Sequence, residues 1–159
     1  MNKQVFLSQI IARLESDHSL LLQAAKTSHA AATHEENIPD NKYATLGLEA
    51  SYLAQGQANR AQEILEALKA FRQMTLQKLS DESPIRLSAL VGLEDGAGNN
   101  RWFFLGPAAG GLRLDFDGEE IMVITPASPL GRELLGKQVG DLVRVKTGCV
   151  REYEIVTVS

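Results

Sequence analysis

Ser128-Pro129-Leu130-Gly131-Arg132-Glu133-Leu134-Leu135-Gly136-Lys137, followed by Val139-Gly140-Asp141, is a short segment with both of its ends marked. A serine at the start of a helix lends its side-chain oxygen to the free amides of the first turn. A proline is tolerated there because its missing N–H has no partner to lose. Gly136 suits the left-handed residue that closes a short helix over 130–135. Around this helix the pattern predicts strands over 87–93, 101–105, 112–116, 121–124, 142–146 and 153–158. Asp95-Gly96-Ala97-Gly98-Asn99-Asn100 and Asp117-Gly118 carry turn chemistry between them. The expected product is a small, mostly antiparallel β domain with one short helix.

The rest of the chain reads differently. Of 13 glycines only Gly47 and Gly56 precede Ser83, and the first half is rich in Ala, Leu and Gln, which favour helix. Leu7, Leu14, Leu21 and Ser28 recur every seven residues, with Ile10 or Ile11 and Ala24 or Ala25 between them. That spacing predicts a heptad-like seam. A second run carries Ala50, Leu53, Gln57, Ile64 and Phe71, with Ala61 and Leu68 on the adjacent ridge. The intervening stretch 33–42 contains Pro39 and has no helical period. Two long helices joined by a short turn form an antiparallel hairpin most simply. At about 1.5 Å per residue, 30 residues give an arm about 45 Å long. Ser80-Asp81-Glu82-Ser83-Pro84 breaks the pattern, so the expected fold is α+β: a helical hairpin over 1–80, its tip near 33–43, then a β domain over 81–159.

Composition excludes several classes. The 159 residues carry a net charge of −4, and 44% are hydrophobic, enough for a folded core. An acidic chain does not hold a nucleic-acid backbone by charge alone. Charge is spread evenly, with 8 basic and 10 acidic residues on each side of the Ser83–Pro84 bond. Cys149 is the single cysteine, so neither an intrachain disulfide nor a multi-cysteine metal site is available. Residues 1–22 mix apolar side chains with Arg13, Glu15, Asp17 and His18, which reads as neither a signal peptide nor a membrane span.

The Ser128–Asp141 pattern resembles the C-terminal domain of Gre-type bacterial transcription elongation factors: Ser-Pro, an apolar residue, then Arg, Leu and Gly-Lys, then a Gly-Asp turn into a Val-rich strand. The stretch from Ala50 to Leu68, notably Gln57 to Ile64, is similar to the second hairpin helix of that family. The resemblance implies an N-terminal helical hairpin (a coiled coil) joined to a C-terminal FKBP-like β domain. It implies bacterial RNA polymerase core as partner, with backtracked RNA and DNA met only indirectly, no membrane, and a cytoplasmic location. The β domain would dock at the rim of the polymerase secondary channel, with Ser128, Pro129, Arg132, Gly136 and Lys137 as the docking motif. The hairpin would enter the channel. Two acidic tip residues would then help hold a Mg²⁺ of the polymerase active centre, which hydrolyses backtracked RNA. The protein would be an accessory factor and not an enzyme, binding no cofactor stably and sharing that Mg²⁺.

The expected tip reads Thr33-His34-Glu35-Glu36-Asn37-Ile38-Pro39-Asp40-Asn41-Lys42-Tyr43. Carboxylates are the hard oxygen donors that Mg²⁺ takes. Family tips carry an acid, a Glu-Asn pair three positions on, and a nearby tyrosine. Asp40-Asn41 matches the pair and Tyr43 the tyrosine, one residue early. Three positions before Asp40 stands Asn37, so the first acid is Glu36, with Glu35 in reserve. The alternative is a Gre-like channel-binding regulator or anti-Gre inhibitor without cleavage activity. Outside that class stand an FKBP-like peptidyl-prolyl isomerase, which needs an aromatic-lined pocket, and a coiled-coil adaptor for another partner. Trp102, Phe103, Phe104 and Phe116 fall on strand candidates and read as core. Asp115 to Glu120 reads as a charged hairpin turn, and His29 and His34, five apart, do not share a helix face.

Overall fold

The computed structural model describes residues 1–33 and 44–159, leaving aside the side chains of 28, 29, 31–33 and 44–51. Helix α1 spans Lys3–Thr33 and helix α2 spans Ala44–Gln73. Asn2 caps α1, its side-chain oxygen accepting the N–H of Gln4 at 3.0 Å and of Val5 at 3.3 Å. The expected tip residues Glu35, Glu36, Asp40, Asn41 and Tyr43 lie outside the described residues.

The chain divides into two compact units, residues 11–69 and residues 1–10 with 70–159. In the helical unit the buried apolar residues include Leu14, Ala25, Ala54, Ala61 and Leu68. Ala54, Ala61 and Leu68 are seven apart and form the inner ridge of α2. Leu53, expected in that seam, is 57% exposed, because its neighbour Ala54 takes the inward position. Small residues there let the backbones approach, and Asp17, Leu20 and Leu21 of α1 line one shallow cavity with Arg60 and Ile64 of α2.

The second unit is built on a six-stranded sheet. Its strands are β1 (Leu90–Asp95), β2 (Asn100–Leu105), β3 (Arg113–Phe116), β4 (Glu119–Ile124), β5 (Leu142–Thr147) and β6 (Cys149–Val158), with helix α3 (Pro129–Leu134) between β4 and β5. The spatial order is β3-β4-β2-β1-β6-β5. The sequence predicts a mostly antiparallel sheet, and one pair departs from that: β2 and β4 run parallel, with Trp102 opposite Ile121 and Leu105 opposite Ile124. The cause is the loop 106–112, which carries the chain past one strand position. The hairpin β3–β4 then returns into the vacated place. Its two-residue turn is Asp117-Gly118, both with positive φ (53° and 84°), the geometry that matches strand twist. β1 begins at Leu90 rather than 87, because Ser88 has φ 72° and Ala89 turns back to bond the Arg86 carbonyl.

Alternation sorts the side chains onto two faces. On one, Phe6 from the start of α1 meets Phe104 edge-on and Phe116 at a tilt, each at 5.4 Å between centroids. Phe71, near the end of α2, lies so close to Gly106 that a Cβ there would sit 2.9 Å from its ring. Both helix ends that belong to this unit therefore pack on the same sheet. The opposite face holds Val91, Leu93, Phe103, Leu105, Val143 and Ile155 beneath Leu134 of α3. The link after α2 is bound to the sheet rather than free: Asp81 accepts the Thr157 hydroxyl at 3.0 Å and the Val158 N–H at 2.9 Å. No helix among the described residues is long and apolar enough to cross a membrane.

The fully buried Phe6 should make Phe6→Ala cost about 4 kcal/mol in urea unfolding, whereas exposed Leu53→Ala should change stability by about 0.5 kcal/mol or less. At the β1–β2 turn, Asn99 bonds the Asp95 carboxylate through its backbone and side-chain N–H groups and, with Ala97, holds that carboxyl below its ordinary 3.8. An NMR titration should find Asp95 ionising below that value, and Asn99→Ala should move it upward by removing the side-chain donor.

Candidate functional site

The site is organised by Ser128. Its Oγ accepts the Gly131 N–H at 3.0 Å and donates to the Thr125 carbonyl at 2.7 Å. One hydroxyl thus caps α3 and ties it back to the end of β4. Pro129 occupies the first turn as the sequence predicts. Gly131 has a separate necessity: a Cβ there would fall 1.9 Å from the Thr125 carbonyl oxygen. The Ser-Pro-Leu-Gly order is therefore a steric requirement of this turn.

The remaining motif residues have distinct places. Arg132 donates from Nε to the Ala127 carbonyl at 2.9 Å and so braces the same turn. Gly136 takes φ 81° and donates its N–H to Ile85, while the Lys137 carbonyl accepts the Ile85 N–H at 2.8 Å. These two bonds fasten the far end of α3 to the segment that follows α2. Ser128 and Pro129 line a cavity, and Arg132, Gly136 and Lys137 do not.

That cavity has a volume of about 460 Å³ and is walled by Phe103, Met122, Ile124, Leu130, Val145 and Tyr153, with Arg101, Thr147 and Arg151 also on its lining. It exists because α3 is only six residues long and leaves part of the sheet face uncovered. Sequence reasoning placed Phe103 in the core and did not find the cavity. The available signal was the alternation Arg101, Phe103, Leu105 and Arg151, Tyr153, Ile155, charged outside and apolar inside on one face. Phe104 and Phe116 belong to the opposite face, against Phe6. Arg151 is held above its ordinary protonation range by hydrogen bonds to Cys149 and then to Tyr153.

Among the described residues no group of three or more His, Cys, Asp or Glu side chains is placed to hold a metal ion. The candidate ligands Glu35, Glu36 and Asp40 are outside that set, and their carboxylates have the donor chemistry that suits Mg²⁺. Asp115 to Glu120 forms the expected charged hairpin, with Arg113 and Glu120 paired at 3.3 Å.

A helical pair thus precedes a mixed sheet that carries the capped Ser-Pro helix. Residues 114–159 match the family described as "Transcription elongation factor, GreA/GreB, C-term", a span that contains the whole α3 motif. Over that segment the chain is similar to the Gre family. Among solved structures it is similar to GreA factor homolog 1 (Gfh1) of Thermus thermophilus, at 25% identity over 96% of this chain and 94% of that one, TM-score 0.41. It is likewise similar to Thermus aquaticus Gfh1, at 24% identity over 95% and 92%, TM-score 0.38. A GreA/GreB factor from Nitrosomonas europaea matches at 19% identity over 60% and 78%, TM-score 0.37. No curated protein sequence matches the chain significantly.

Gly131→Ala should lower stability by about 3 kcal/mol in urea unfolding, since the Thr125 carbonyl is backbone and cannot swing aside. Ser128→Ala should cost about 1 kcal/mol, the loss of a cap.

Proposed function

We propose that this protein binds bacterial RNA polymerase, reaches through the secondary channel with its helical hairpin, and stimulates cleavage of backtracked RNA by the polymerase. The observation that carries the reading is the GreA/GreB match over 114–159, whose central motif is here a braced turn beside an open apolar cavity. That face is the docking surface in this reading. Helices of 31 and 30 residues supply an arm of about 45 Å, with Glu35, Glu36 and Asp40 in the segment that joins them.

The chemistry asked of those residues is limited. A Mg²⁺ lowers the pKa of an attacking water and stabilises the leaving oxygen in phosphodiester hydrolysis. Glu36 and Asp40 would supply carboxylate oxygens, Glu35 would stand in reserve, and Asn41 and Tyr43 would support the turn. The polymerase provides the rest of the site. The protein is therefore an accessory factor, acting in the cytoplasm where the polymerase is. A second reading has its own support: Asn37 stands three positions before Asp40, where family tips carry an acid. In that reading the hairpin occupies the channel and regulates without cleaving.

The test is a backtracked elongation complex carrying 3′-end-labelled RNA, given the protein and Mg²⁺. Release of the short 3′ fragment should accelerate. A Glu35→Gln, Glu36→Gln, Asp40→Asn triple variant should lose the stimulated rate by about 100-fold while binding polymerase within about twofold of wild type. Persistent stimulation by the triple variant would refute the tip assignment. Binding without stimulation by the wild type would select the channel-occupying reading, and no binding would refute both.

A further inference from the structure

The cavity beside α3 has a charge pattern that its docking role leaves open. Its wall is apolar, and the charged residues on its lining are Arg101 and Arg151, both exposed, with no Asp or Glu among the lining side chains. This is a local reversal of sign in a chain of net charge −4. Both arginines follow from strand alternation. On β2, Arg101 precedes inward Phe103 and Leu105; on β6, Arg151 precedes inward Tyr153 and Ile155. Each guanidinium therefore stands where the buried face meets solvent.

On the outer side Asp95 and Glu152 share a second cavity with the two arginines, and Glu119 and Glu120, the latter paired with Arg113, share a third with Arg101. The hydrogen bonds of Asp95 and Glu152 go to other groups: Asp95 accepts from Ala97 and Asn99 while Arg101 acts on it only through its charge, and Glu152 accepts from Arg144 at 2.6 Å. The groups that stabilise the charge of Arg151 are Cys149 and Tyr153, which are not carboxylates. A guanidinium has five N–H donors in a planar fork that fits a carboxylate, so both arginines keep capacity for one.

We infer that the cavity receives an apolar side chain of the polymerase that is flanked by a carboxylate, and that Arg101 and Arg151 select this segment. The inference rests on the reading of the protein as a polymerase-binding factor and adds the chemistry of the surface it recognises. The apolar wall supplies burial, and the paired guanidinium groups discriminate against basic or neutral segments, which is the usual use of charge at an interface.

The experiment titrates N-terminally labelled full-length protein with purified bacterial core RNA polymerase. Charge reversal in the Arg101→Glu, Arg151→Glu double variant should weaken binding by about 30-fold, and neutralisation to glutamine at both positions by about tenfold, with a shallower salt dependence. Lys146→Glu, an exposed charge off the cavity lining, should stay within about twofold of wild type. Unchanged urea midpoints establish that the exposed substitutions leave the fold intact. Wild-type affinity in the reversal variant overturns the inference and leaves polymerase binding standing. Failure of the wild type itself to bind overturns the underlying reading and the inference with it. A small apolar anion that copurifies with wild type in native mass spectrometry and is lost from the reversal variant, with polymerase affinity unchanged, also overturns it and assigns the cavity to a small ligand.

Discussion

The hydroxyl of Ser128, shared between the Gly131 N–H and the Thr125 carbonyl, is the contact on which the functional end of the molecule depends. A helix of six residues has almost no internal hydrogen bonding to sustain it. It forms here because its first turn is capped, its far end is clamped to Ile85 through Gly136 and Lys137, and Leu134 is fully buried on the sheet. The same shortness leaves the neighbouring stretch of sheet open. The cavity is lined by the capped start of the helix, Ser128, Pro129 and Leu130, so the cap also positions one of its walls.

Fold legibility followed the range of the forces involved. Short-range chemistry could be read directly: the Ser-Pro start, the positive φ of Gly136, the Asp117-Gly118 turn and the heptad spacing of Leu7 and Leu14 each have a local cause. The parallel pairing of β2 with β4 has none. It arises when a hairpin folds back into a place left by the loop 106–112, and no turn residue encodes which strand lies beside which. The position of Leu53 is an intermediate case. Ala54, Ala61 and Leu68 carry the seven-residue apolar spacing, whereas Leu53 is followed seven residues on by Arg60, and the approach of the two helices puts the smaller residue inside.

Site legibility was uneven for a different reason. The motif residues were visible as a pattern, but their roles were not, since Arg132 turns out to brace a carbonyl while Ser128 and Pro129 border the cavity. The cavity draws on β2, β4, α3, β5 and β6, whose contributions are only one or two residues each. Phe103 is both core and cavity wall, and aromatic residues on a strand give no sequence signal that separates the two. The acidic candidates Glu35, Glu36 and Asp40 rest on the sequence and its resemblance, and lie outside the described residues.

The two ends of such a factor answer to different physical demands. Docking requires a rigid surface, and here the start of α3 is sensitive to small changes: a Cβ on Gly131 meets the Thr125 carbonyl, and losing the Ser128 hydroxyl uncaps the helix. Assisting a metal requires only that two carboxylates reach the same ion, which tolerates variation in spacing so long as the turn closes. A match confined to residues 114–159 therefore speaks to the unit that carries the Ser128–Lys137 turn, where geometry is demanding and sequence pattern is specific. Within the proposed function, the choice between assisting cleavage and occupying the channel turns on the interval between Glu36 and Asp40, with Pro39 inside it. A proline fixes φ and disfavours a helical residue before it, so the sequence pattern does not offer those two carboxylates as neighbours on one helix face.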